Sequence, residues 1–312
     1  EETCLDVTEG FILGPWVDGG LLVYDVDTGE CMDSPIDCNG DYYGSDGAFD
    51  GCGFCDEYVE NDCFELTIDL MAGANLISFH ALPQDNSLSS MFSSLGENIN
   101  RIISEGEGAI NIGGDWYGSL NEITSERGYW VIMETADSLI IPSSIPTHPF
   151  QDGFQYNLHS GNNLISYPFS VEQTIEDAIS DEYLNSIFSI AGESVSAINL
   201  DGTWYGSLNT FQESRGYWFV TNMDIQFHYD YPDGDFMARD NPTFSSEAPE
   251  FFTFSQSPFQ AFYWVTNASI DGIPLEAGED WIGAFYGEVC VGSREWSGIN
   301  TYGIPTDVPV MG

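Results

Sequence analysis

The stretch AINIGGDWYGSLNEITSERGYW, Ala109–Trp130, returns as AINLDGTWYGSLNTFQESRGYW, Ala197–Trp218, identical at fourteen of twenty-two positions without a gap. The same offset of 88 residues carries Gly73–Phe79 onto Gly161–Tyr167, so the duplication reaches well beyond the quoted stretch. Whatever the first repeat folds into, the second must fold into as well. Four segments are expected: 1–63, a first repeat over 64–150, a second over 151–240, and a C-terminal domain over 241–312.

Within each repeat a short apolar run, Leu76–Phe79 and Leu164–Tyr167, reads as a buried strand. Leu88, Met91, Phe92, Leu95 and Ile99 follow at helical spacing, as do Ile175, Ala178, Ile179 and Ile187, which predicts one amphipathic helix per repeat. Ile102–Ile103, Ala109–Ile112, Trp116–Tyr117 and Tyr129–Ile132 read as further strands between Gly and Asp turns. The expected fold class is predominantly β with some α: tandem α+β modules, followed by a partial β-sandwich of immunoglobulin-like kind.

The repeated rings and guanidinium groups have two readings. In the first, Trp116, Tyr117, Arg127 and Trp130, with their counterparts Trp204, Tyr205, Arg215 and Trp218, are structural. The rings fill a core, glycine lets the backbone turn, and each Arg is held by a carboxylate or carbonyl cluster inside its own repeat, in bidentate geometry. In the second, Trp116, Tyr117, Trp204 and Tyr205 form a platform on which sugars stack. Packing is the reading adopted, because burial is the commoner fate of patterned rings.

Charge restricts the partners. Asp and Glu number 51 against five Arg and no Lys, a formal net charge of -46. Such a surface repels phosphate backbones and anionic headgroups, which argues against nucleic acid and membrane docking. The carboxylates serve solubility in salty water, or act as oxygen ligands for Ca²⁺. With 42% hydrophobic residues the chain has enough apolar material for packed cores, and no run of 18 apolar residues crosses a membrane. A start at Glu1 without a leader is expected of a mature product or a fragment.

Six of the seven cysteines, Cys4, Cys31, Cys38, Cys52, Cys55 and Cys63, fall in the first 63 residues. That density in a Gly/Asp-rich segment reads as a disulfide-stapled module made for an oxidising, extracellular compartment. A zinc or redox CxxC at Cys52–Cys55 is the alternative, with His80 as the nearest His. Asp37, Asn39 and Asp41 alternate along the same loop, with Asp46 and Asp50 following. Alternating oxygen donors on a Gly-rich loop resemble the first half of an EF-hand, although Ala48 stands where its twelfth-position Glu belongs. They are the candidate Ca²⁺ ligands; a plain disulfide loop with solvated acids is the other reading.

Residues 37–56 resemble the DCxG…CGxC spacer repeats of large secreted bacterial surface proteins, which are similar to calcium-binding thrombospondin type 3 repeats. Gly161–Ser166 with the Trp-Tyr-Gly-Ser-Leu and Gly-Tyr-Trp signatures resembles a module of multidomain secreted proteins of marine bacteria. Ile270–Glu276, Asp280–Phe285 and Cys290-Val-Gly look like a β-sandwich domain of the same proteins, found upstream of type IX secretion sorting domains. The resemblance implies export and surface display, and no reaction.

Strand-like runs at Phe251–Phe254, Ala261–Thr266 and Trp281–Phe285 are fewer than the roughly seven strands of a sandwich, so the C-terminal domain is expected to be incomplete. Either a neighbouring subunit supplies the missing strands or the sequence is part of a longer one. Cys290 is the odd cysteine. His80, His148, His159 and His228 are scattered, no GxSxG elbow occurs, and Asp27-Thr28-Gly29 reads as a hairpin turn instead of a protease triplet. The polar Asn267-Ala268-Ser269 sequon reads as a loop. The chain is therefore expected to be no enzyme. It reads as a secreted, cell-surface structural protein, a filament or surface-layer subunit that assembles with copies of itself or other surface proteins through strand complementation. A glycan-binding adhesin and a non-catalytic part of a secreted hydrolase are the alternatives.

Overall fold

Alternating apolar residues and Gly turns make strand the prevailing element. The computed structural model describes residues 22–24, 31–33, 64–146, 155–232, 248–298 and 305–312. Of these, 51% are in strands and 9% in helices, in several antiparallel sheets, so the fold is predominantly β. Residues 1–64 and 65–312 are two compact units. In the first, Leu22–Tyr24 pairs antiparallel with Cys31–Asp33, as expected of strands flanking a hairpin turn.

In the second unit, the first repeat builds a five-stranded sheet from β1 (Gly73–Ile77), β2 (Ile99–Ile103), β3 (Gly108–Ile112), β4 (Asp115–Gly118) and β5 (Tyr129–Met133), in the order β1-β5-β2-β3-β4. The second repeat builds another from β6 (Gly161–Ser166), β7 (Ile187–Ala191), β8 (Ser196–Leu200), β9 (Thr203–Gly206) and β10 (Gly216–Thr221), in the order β6-β10-β7-β8-β9. The orders correspond strand for strand, and even the bulges agree, at Asn100 in β2 and Phe188 in β7.

Equivalent polar side chains do equivalent work. Asn75 Oδ1 accepts from the Met71 amide at 2.7 Å, and Asn163 Oδ1 from that of His159 at 2.8 Å. The Tyr129 and Tyr217 hydroxyls each accept a backbone N–H at 2.8 Å, from Thr124 and Gln212. Gly118 and Gly206 permit a contact closed to other residues: a Cβ there would lie 2.1 Å from the Gly108 or the Ser196 carbonyl oxygen. The invariant Trp-Tyr-Gly is thus partly a demand for close strand approach.

The cores lie on one face of each sheet. Phe79, Met91, Ile102 and Tyr129 belong to the first; Tyr167, Phe211, Phe219, Phe227 and Tyr229 form an aromatic second. The predicted amphipathic helices are shorter than their spacing implied. Each is one turn, α1 (Leu88–Met91) and α2 (Ile175–Ala178), capped by Ser87 and Thr174 and followed by 3₁₀ turns. Serine is the reason in the first repeat: Ser93 Oγ bonds back to the Ser90 carbonyl, a local competitor of helix propagation, and Gly96 then turns at φ 55°. Ile99 and Ile187, counted into the helices by spacing, begin β2 and β7.

The C-terminal segment has β11 (Gln260–Val265), β12 (Trp281–Tyr286), β13 (Val289–Glu295) and β14 (Thr306–Met311), which form two separate two-stranded sheets, β11-β14 and β12-β13. Expected strand Phe251–Phe254 is instead a 3₁₀ turn at Glu250–Phe252. β13 crosses β14 so closely that a Cβ on Gly292 would lie 1.7 Å from the Pro309 carbonyl oxygen. Among the described residues, the buried apolar side chains of this segment are Trp296, Val308 and Met311, with Pro305 and Pro309. Phe251, Phe259, Tyr263, Ile270, Ile273, Phe285, Tyr286 and Val289 are exposed.

Candidate assembly surfaces

The two repeats meet at the Arg-Gly-Tyr-Trp signature itself. Ile77 bridges to Arg215, and Ile165 to Arg127, both antiparallel. Ser78 N–H donates to the Ser214 carbonyl at 3.0 Å and Ser166 N–H to that of Glu126 at 3.1 Å. Leu76 N–H donates to Glu193 Oε2, and Leu164 N–H to Glu105 Oε2, both at 3.0 Å. Each of these three contacts has its reciprocal 88 residues away, as in an isologous interface, whereas Gly128 N–H to the Leu164 carbonyl and Tyr167 N–H to Ser78 Oγ occur once. Its apolar centre is Ala74, Leu76, Trp130 and Leu164, with Ile103, Ile132 and Trp218 against it.

Glycine makes the crossing passable. A Cβ on Gly216 would stand 2.8 Å from the Ile77 carbonyl oxygen and 3.1 Å from Gly128 Cα, and one on Gly128 would stand 2.7 Å from Leu164 Cδ1.

The signature residues do several jobs. Trp130 is buried at the junction, its indole N–H without a partner among the described residues, and Trp218 packs beside it. Trp116 and Trp204 pack against the two cores, Trp116 with its ring 5.9 Å from that of Phe92. Tyr117 points outward at 56% exposure, whereas Tyr205 is half-buried. Each Arg holds a carboxylate of its own repeat, Arg127 Glu107 at 2.6 Å and Arg215 Glu193 at 3.3 Å. A single guanidinium nitrogen makes each contact, not the bidentate fork expected, and both side chains remain half-exposed. Glu193 belongs to both contacts; burial raises its pKa, against the Leu76 N–H and Arg215. On the other half of the junction, Glu105 Oε1 binds His159 Nε2 at 2.7 Å. Sequence reading missed Glu105, Glu193, Ser78 and Ser166, although an offset of 88 relates the first two and the last two.

A second contact seats the C-terminal strands on the second repeat. The Ser196 and Ser207 hydroxyls donate to Asp307 Oδ2 at 2.9 and 2.6 Å, and Arg294 lies 3.5 Å from the same oxygen. Arg294 also donates to the carbonyls of Asp307 and Ser194, and Gln260 Nε2 to that of Gly192. Burial raises the Asp307 pKa, with Arg294 and the two hydroxyls opposing. Between these elements lies a cleft of about 460 Å³ lined by Trp281, Trp296, Arg294, Glu295, Ser207 and Thr306, among others.

Asp37, Asn39, Asp41, Asp46 and Asp50 lie outside the described residues, as do Cys4, Cys38, Cys52, Cys55 and Cys63; Cys31 is in the N-terminal hairpin. Among the described residues, no group of three or more His, Cys, Asp or Glu side chains could hold a metal ion. Cys290 is a free thiol against the Gly292 carbonyl at 3.4 Å. No helix among the described residues is long and apolar enough to cross a membrane. No family model matches this chain, and neither a curated protein nor a solved structure does.

Proposed function

We propose that the chain is a secreted structural subunit that builds an extracellular filament or surface layer by pairing strand edges between copies. The observation that carries this reading is the C-terminal segment, where two two-stranded sheets keep open edges and a string of aromatic and aliphatic side chains faces solvent. Such edges recruit a strand from another chain. In this reading 64–150 and 151–240 are tandem modules that lengthen the subunit, and 241–312 is an immunoglobulin-like sandwich completed by a neighbour. Residues 1–63 are a disulfide-stapled module whose acidic loop binds Ca²⁺ and helps acidic faces approach. No reaction is part of it.

Negative-stain imaging of the purified protein is expected to reveal polymers, and Tyr263→Lys with Phe285→Lys to shorten or abolish them, since charge on an edge opposes pairing. Monodisperse particles at every concentration overturn the reading. A chelator is expected to lower the melting temperature; an unchanged value removes Asp37, Asn39 and Asp41 as ligands.

The cleft beside Trp281 and Trp296 supports a second reading, a glycan-binding adhesin, because indole faces with convergent hydroxyl, carboxylate and guanidinium groups suit a sugar. Monodisperse particles that bind a glycan array would favour it.

A further inference from the structure

The outer face of the first sheet carries a cation that no other described residue pairs. Four of the five Arg lie among the described residues, and Arg127, Arg215 and Arg294 each hold a carboxylate. Arg101 is exposed and makes no hydrogen bond or ion pair to any described residue. It stands on β2 opposite Ile110 of β3 and Ile132 of β5, so all three side chains share one face. Tyr117 of β4 is opposite Ile110, and Ile112 lies two residues along on the same side. Ile110, Ile112 and Tyr117 are 45%, 59% and 56% exposed.

We propose that this face docks a second copy of the chain, which presents a carboxylate to Arg101 and apolar surface to Ile110, Ile112 and Tyr117. The inference rests on the homopolymer reading and adds to it a contact separate from the C-terminal strands. Charge complementarity selects the occupant. Two copies at -46 repel each other over most of their surface, and a guanidinium with no described carboxylate partner, between Ile110 and Ile132, is where approach is rewarded, although Asp115 stands opposite Ile112 on the same face. Phosphate ligands would meet the same repulsion.

Continuity with an existing interface points the same way. Ile132, beside Arg101, already packs into the junction of Leu76, Trp130 and Leu164, so the patch extends a surface built for protein contact. The second repeat has Ser189, Ile198, Leu200 and Tyr205 at the equivalent positions and no cation. The face therefore exists once per chain. If it meets an acidic surface elsewhere on the next copy, the contact is heterologous and propagates.

The test places a benzophenone photocrosslinker at position 117 of the full chain and follows interchain crosslinks over a concentration series, with imaging in parallel. Crosslinked pairs are expected, falling about tenfold or more with Arg101→Glu and with high salt, retained with Arg101→Lys, and indifferent to Ser189→Glu. Melting curves of each variant confirm folding. Polymers that form without interchain crosslinks at 117, or crosslinks untouched by Arg101→Glu, overturn this inference and leave the strand-pairing reading standing. Crosslinked pairs without polymers support the contact and overturn the polymer. Monomers alone, at every concentration, overturn both.

Discussion

Gly216 has an ordinary backbone conformation, so what makes it irreplaceable is the Ile77 carbonyl 2.8 Å from where a methyl would sit. Backbone on both sides of the contact leaves little to yield. Gly216→Ala is expected to cost about 1–3 kcal/mol of unfolding free energy by denaturant titration, as overpacked sites do, and Gly202→Ala, where only Leu184 is near, to act through φ strain alone. His80 sits beside Ser214 across the same junction, and burial lowers its pKa from 6.5 to about 4. Its folded value lies below its unfolded one, so the unfolded chain takes up a proton that the folded chain refuses. The stability His80 contributes is full near neutrality and is lost as pH falls from about 6.5 to about 4, by up to about 3 kcal/mol. His80→Gln should flatten that part of the stability curve measured by urea unfolding. Glu193 and Asp307, raised by burial, have the opposite sign: their contribution is present below the ordinary carboxylate pKa and declines as pH rises through the shifted one.

At the scale of elements, most strands were legible, and of the helices the place but not the length. Leu76, Ile102, Ala109 and Tyr129 lie in strands where apolar runs between glycines placed them, because such a run has few other ways to be buried. Spacing at 3.6 overstated the helices, since Leu95 and Ile99 satisfy a helical period yet belong to a 3₁₀ turn and a strand. What survives is a turn whose cap matters more than its length. Thr174→Ala, which removes the acceptor for the Asp177 N–H, is expected to cost about 1 kcal/mol in thermal or chemical unfolding, despite the helix having four residues. The repeat junction was invisible in sequence because duplication announces two units but not which faces they turn to each other. Arg127 and Arg215 stood out as scarce cations, yet their backbones bridge the repeats while their side chains serve single carboxylates within each one.

For the whole molecule, a net charge of -46 sets the response to ions. Self-repulsion opposes compactness, so added NaCl is expected to raise the melting temperature until screening is complete, near a Debye length of a few ångströms at molar salt. A melting temperature that falls with salt would mean that ion pairs such as Arg127–Glu107 outweigh repulsion.

Reciprocal bonding between the repeats also has a mechanical meaning. Under tension, hydrogen bonds arranged as partners across a dyad share load, so the Gly128–Gly216 crossing is expected to hold the two sheets together. Pulled in a force spectrometer, residues 65–232 should rupture in one event instead of two, and a pair of separate peaks would mean that each repeat yields alone.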